Sequence, residues 1–185
     1  MSHFENYQHV SRFYDNTRTA VGVDIIRNQL QNGELPINKQ LLVDAGCGTG
    51  LYSAALVKNV RKIEAIDLNA GMLKIAKEKM KLEGKNGLIN FHISSIDSLP
   101  LDNDTADAVM INQVLHHLPD NLTRGWTHHE KVFREFWRVL KSGGMLIINS
   151  CSPEQIECGF WSVSYTHLRA HETRHELVCR LLLEK

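Results

Sequence analysis

Apolar residues along this chain fall into short runs separated by segments of longer period. The runs at 41–45, 62–66, 88–93, 106–112 and 145–149 are brief and nearly continuous. Such runs predict five strands covered on both faces, as in a parallel sheet. Between them the spacing becomes helical. Residues up to about Gly33 read as helix, with Val21, Ile25, Ile26 and Leu30 alternating with Asp24, Arg27 and Asn28, and Gly33 as the cap. A helix is predicted over about 51–58. Another opens after Asn69, a good N-cap, and buries Met72, Leu73, Ala76 and Met80. A third starts at a capping box of Thr127 and Glu130, buries Val132, Phe133, Phe136, Trp137 and Leu140, and ends at Ser142-Gly143-Gly144. Alternating strand and helix predicts an α/β fold, a doubly wound and mostly parallel sheet flanked by helices. The first strand is then central, and ligands belong at the carboxyl ends of the strands.

Composition narrows the class. The chain has 185 residues, enough for one domain with a sizeable core. Lysine and arginine number 21, as do aspartate and glutamate, so the net charge is zero. Nothing suggests a field for nucleic acid or a membrane surface. No apolar run is long enough to span a bilayer. The four cysteines, Cys47, Cys151, Cys158 and Cys179, form no C-x-x-C pair, and no signal peptide is visible. Reduced thiols and a cytoplasmic setting are expected. The oligomeric state stays open.

The first strand ends in Asp44 and runs into Asp44-x-Gly46-x-Gly48-x-Gly50. Dinucleotide sites use G-x-G-x-x-G, with the pyrophosphate at the helix N-terminus. An acid at the head of the loop repels a pyrophosphate and suits a cationic amino acid group. The second strand ends in Asp67, about where nucleotide-binding folds place an acid for ribose hydroxyls. The loop, Asp67 and the segments that follow resemble the S-adenosylmethionine (SAM) site of class I methyltransferases, over residues 13 to 150.

That resemblance implies a Rossmann-like sheet, SAM as cofactor, and methyl transfer to a small-molecule acceptor. It implies that Gly46, Gly48 and Gly50, with Ala45 and Cys47 in the same loop, line the methionine part of SAM, and that Asp44 orients its ammonium. Asp67 accepts from the ribose hydroxyls, and Leu68 and Met72 pack near the adenine. After the third strand the family usually reads Gly-Asp-Ala, whose Asp binds the adenine amino group. Here Ser95 and Ile96 stand at the Asp and Ala positions, and a neutral serine is the weaker acceptor. Asn112, Gln113 and His116 follow the fourth strand in the loop that faces the transferred methyl; His116 is the candidate base. Tyr14, in Tyr14-Asp15-Asn16-Thr17-Arg18, resembles the element that closes over SAM. The pairs His116-His117 and His128-His129 lack the spacing of a zinc motif, so no metal is expected. Two rivals remain: a non-catalytic SAM-binding module, which the Ser95–Ile96 departure allows, and a nicotinamide-dependent oxidoreductase, which the glycine spacing disfavours.

The segment from Val163 to Thr173 resembles one translated reading frame of a sequencing-adapter DNA. Leu177 to Lys185 resembles the frame that follows it. Residues 163–185 are therefore read as a non-native tail, although Leu177, Val178, Leu181 and Leu182 also fit a helix. The expected organisation is a helical cap over 1–36, a truncated SAM-binding domain over 37–162, and the tail. Strands six and seven of the family sheet are expected to be missing, which leaves the fifth strand as an open edge.

Overall fold

The computed structural model describes residues 19–84, 87–119, 125–150 and 177–182. Tyr14 and the rest of the expected closing element lie outside them. Five parallel strands form as expected: β1 (Leu41–Ala45), β2 (Lys62–Asp67), β3 (Ile89–Ile93), β4 (Ala106–Asn112) and β5 (Leu140–Ser150). The helices are α1 (Val23–Gln31), α2 (Leu51–Leu56), α3 (Ala70–Leu82) and α4 (Thr127–Val139). The strand order is β3-β2-β1-β4-β5-β6. The chain winds outward from β1 to β3, then crosses back to β4 on the other side of β1. The switch point therefore lies between β1 and β4, and a crevice opens beyond their carboxyl ends.

Side-chain alternation divides the core into two layers. Leu42, Ile63, Ala65, Ala108, Met110 and Ile147 meet Ile26 and Leu30 of α1, Leu56 of α2, and Leu73 and Met80 of α3. Val43, Ala45, Ile66, Val109, Ile111 and Leu146 meet Val132, Phe136 and Val139 of α4. Asn69 caps α3 as expected, its Oδ1 accepting from the N–H groups of Gly71 and Met72.

Four local expectations are corrected. Thr127 does not cap α4, because the helix has already begun there; Trp126 holds the N-cap position with no side-chain bond, and its carbonyl accepts from the Glu130 N–H. Trp137 is exposed rather than buried. Asn32, not Gly33, caps α1. Finally, α4 passes into β5 at Leu140, with no glycine stop. Leu140 pairs with Ala106 and Met145 with Ala108, so the four residues 141–144 of β5 stand against Asp107 alone on β4. Gly143, at φ 71°, sits inside that irregular stretch.

A sixth strand, β6 (Leu177–Leu182), pairs antiparallel with β5, Ser150 opposite Leu177 and Met145 opposite Leu182. It comes from the segment read as tail, on the edge expected to be bare. The physical reason is the edge itself: unpaired N–H and C=O groups along β5 accept an extended segment whatever its origin.

Candidate active site

The loop after β1 is built from backbone more than from side chains. The N–H groups of Gly46 and Cys47 both donate to the Ile66 carbonyl, at 2.8 and 2.9 Å, which ties the loop to the end of β2. Gly46, Gly48 and Gly50 all have positive φ, a conformation that L side chains resist. Their surroundings differ. A Cβ on Gly46 would lie 2.6 Å from Val114, in the loop after β4, and one on Gly50 would lie 3.2 Å from Ala76 of α3. A Cβ on Gly48 would meet nothing within 4 Å. So Gly46 and Gly50 are closed by packing, whereas Gly48 borders open space. On α3, Lys79 secures the loop from behind by donating to the Thr49 carbonyl at 2.9 Å.

Asp67 stands at the lip of that space. Its Oδ2 accepts from the Gly48 N–H at 2.8 Å and its Oδ1 from the Asn69 N–H at 2.7 Å. Each carboxylate oxygen keeps a lone pair for a further donor. Asp44 lies deeper. It is 1% exposed, and its Oδ2 accepts from the Ser53 hydroxyl of α2 at 2.6 Å. Loss of water raises its pKa to about 7; the Ser53 bond opposes the rise and the neighbouring Asp67 charge adds to it. Burial likewise pushes the Cys47 thiol well up, helped by both carboxylates, so this cysteine stays a thiol.

The remaining candidates spread around the crevice. Leu68 is 63% exposed at the end of β2, while Met72 is buried on α3. Ser95 is half-buried, its carbonyl accepting from the Ser98 N–H, and Ile96 is buried. Asn112 ends β4 and is buried; it stands close enough to Asp44 to favour the charged carboxylate slightly, yet neither amide atom makes a hydrogen bond of good geometry. Gln113 adopts φ 54°, and its N–H donates to the Asn149 carbonyl at 2.8 Å. His116 is exposed on a short 3₁₀ turn, Leu115–His117, its ring 4.0 Å from that of His117.

Sequence reasoning missed Ser53, Tyr52 and Asn149. A signal existed for Asn149: Val109-Met110-Ile111-Asn112 and Leu146-Ile147-Ile148-Asn149 are two apolar strands ending in the same amide. A cavity of about 440 Å³ lies elsewhere, lined by Leu41, Glu64, Leu99, Asp102 and Thr105 toward the amino ends of β1 and β4. Glu64 there is already paired with Lys62, His92 and Asn90.

A parallel sheet of this winding, with a glycine loop after β1 and a carboxylate after β2, defines the class I SAM-dependent methyltransferases. The chain belongs to the family described as methyltransferase domain, which it matches over residues 43–148. It is 30% identical over 145 residues to a demethylmenaquinone methyltransferase of Clavibacter sepedonicus, covering 77% of this chain and 55% of that one. It is 31% identical over 121 residues to the ubiquinone/menaquinone biosynthesis C-methyltransferase UbiE of Escherichia coli O1:K1, covering 64% and 45%. The chain thus spans about half the length of these relatives. Among solved structures, a putative SAM-dependent methyltransferase from Methanococcus maripaludis shares the fold, with a TM-score of 0.62 at 22% identity over 86% of this chain and 74% of that one.

Proposed function

We propose that this chain binds SAM across the ends of β1 and β2 and transfers its methyl group to a small-molecule acceptor in the cytoplasm. One observation carries the reading: Asp67 is pinned by the Gly48 N–H beside open space, with the second carboxyl, Asp44, buried beneath the same loop. That set fits a cation carrying a ribose. Asp67 would hold the ribose hydroxyls, and Asp44, behind the loop, favours positive charge near the glycines. Leu68 offers an exposed apolar face for the adenine. Bound SAM supplies a methyl group already activated by its positive sulfur. The chain's own task is then to align an acceptor and keep water out. Asn112 and Gln113 line that place, and His116 is the group positioned to take a proton from an acceptor that must lose one. A small acceptor agrees with the names of the relatives. No helix among the described residues is long and apolar enough to cross a membrane.

Calorimetry on Asp67→Ala tests the pocket. Two charge-assisted hydrogen bonds of about 1.5–3 kcal/mol each disappear, so SAM affinity should fall by about a hundredfold or more. Near-native affinity would remove Asp67 from the site. Side-by-side titration with NADH and SAM separates the nicotinamide alternative. Unchanged turnover in His116→Ala would exclude that histidine as the base.

A further inference from the structure

We propose that the open edge of β3 docks an extended, acidic segment of a partner protein, which adds as a strand and sets its carboxylates against three lysines of α3. Methyl transfer makes no use of this surface.

β3 ends the sheet on its side, and among the described residues only β2 pairs with it. The Leu88 carbonyl accepts from the Ile63 N–H at 3.1 Å, and the Ser94 N–H donates to the Asp67 carbonyl at 3.2 Å. In a strand the backbone groups of successive residues point to opposite sides. The even-numbered residues from Leu88 to Ser94 therefore face β2. Ile89, Phe91 and Ile93 turn their N–H and C=O groups to the open edge. β3 reads Ile-Asn-Phe-His-Ile, with neither a proline nor a fixed charge to blunt that edge. Alternation puts the side chains of the same three residues on the α3 side: Ile89 and Phe91 join that core layer, and Ile93 is left 64% exposed.

α3 supplies the charge, with four lysines against one glutamate, Glu78. Lys79 turns toward β1, donating to the Thr49 carbonyl. Lys74, Lys77 and Lys81 recur at helical spacing on another flank, and all three are exposed. Lys77 shows which way that flank faces, because its Nζ lies 6.0 Å from the centre of the Phe91 ring. None of the three has a carboxylate partner among the described residues. A strand laid along β3 would meet this row with the side chains that point to the α3 side.

Charge then selects the occupant. A second copy pairing edge to edge would bring two lysine rows together, which opposes it. A nucleic acid would satisfy the lysines and leave the N–H and C=O groups of the edge unmet. An extended peptide with acids at alternate positions satisfies both, its backbone completing the ladder and its carboxylates meeting the ammonium groups.

The test uses the full chain and fluorescence anisotropy of labelled octapeptides. The probe alternates glutamate and valine. Its controls are a lysine–valine counterpart, the same glutamate–valine peptide N-methylated throughout, and an oligothymidylate of matching length. The glutamate–valine peptide is expected to bind with a Kd below about 1 mM, and to weaken as salt screens the exposed charges. Each control should bind at least about tenfold more weakly. Lys77→Glu should weaken the probe about threefold, and Lys74→Glu, Lys77→Glu and Lys81→Glu together about tenfold or more, with the circular dichroism spectrum unchanged. Amide hydrogen exchange followed by NMR should slow at Ile89, Phe91 and Ile93 on binding. Asn90 and His92, already bonded to β2, should change little. No binding at about 1 mM, equal binding of any control, or protection at residues other than these would overturn the proposal. Should the triple variant fail to fold, Lys77→Glu and the peptide controls decide the matter.

Discussion

Burial strips water from the Asp44 carboxyl, and the Ser53 hydroxyl returns only part of what is lost, so the group titrates near 7 instead of at its ordinary 3.8. Between those two values the folded chain binds more protons than the unfolded one. Its stability from this group is therefore greatest at low pH and falls as pH rises through that window. A cation bound nearby favours the carboxylate and reverses the preference. SAM binding at pH 6 should release close to one proton, and affinity should rise about tenfold between pH 6 and pH 8. Calorimetry in buffers of different ionisation enthalpy measures the proton; Asp44→Asn should abolish its release and flatten the pH profile. The glycines divide in a related way. Gly46→Ala would set a methyl 2.6 Å from Val114, so thermal unfolding should show a loss of about 1–3 kcal/mol, restored in part by Val114→Ala. Gly48→Ala meets no atom, so beyond the strain of its positive φ its effect should fall mainly on SAM affinity.

On α4, one guanidinium gathers the segment that leads from β3 to β4. Arg138 donates to the carbonyls of Leu99 and Leu101, to Asn103 Oδ1 and to both oxygens of Glu135, while Glu135 accepts from the Leu99 N–H. The pairing draws the Glu135 carboxyl below its ordinary range, chiefly through the Arg138 bonds. Arg138→Ala should cost about 1–3 kcal/mol in urea denaturation, since it strips several charge-assisted bonds at once from a half-exposed group. None of this was visible in the sequence, because Arg138 meets Leu99, Leu101 and Asn103 only once the segment between β3 and β4 lies against α4. Local patterns were legible where one period decides the outcome: five buried strands, the Asn69 cap, the glycine loop and the acid after β2. Boundaries were not. Ser142-Gly143-Gly144 has the composition of a helix stop, but pairing with β4 claims Leu140 for the sheet and turns the glycines into a strand irregularity. Within the site, the glycines and the two acids were readable because each ends or follows a strand in a fixed pattern. Ser53 and Tyr52 were not, although they follow the loop closely, because their partners Asp44 and Asn149 come within reach only once α2 lies across the ends of β1 and β5.

Across the whole molecule the place assigned to the cofactor and the antiparallel edge lie apart. SAM is assigned to β1 and β2, and in the order β3-β2-β1-β4-β5-β6 two strands separate β1 from β6. Residues 163–185, if extraneous as their likeness to adapter DNA implies, should be removable without touching the cofactor. The chain ending at Ser162 is then expected to bind SAM within about twofold of the full chain. It would not behave identically in solution. Removing β6 exposes the backbone groups of β5 that now pair from Met145 to Ser150. An uncovered edge of that length invites a second copy, and the shortened chain, which loses four basic and three acidic residues from a balance of 21 and 21, offers little charge repulsion against association. Light scattering behind size exclusion should show more self-association than in the full chain, and lysine substituted at an outward position of β5 should suppress the increase. If the shortened chain instead unfolds or loses SAM, then β6 is a working part of the sheet, and residues 177–182 belong to the fold whatever their sequence resembles.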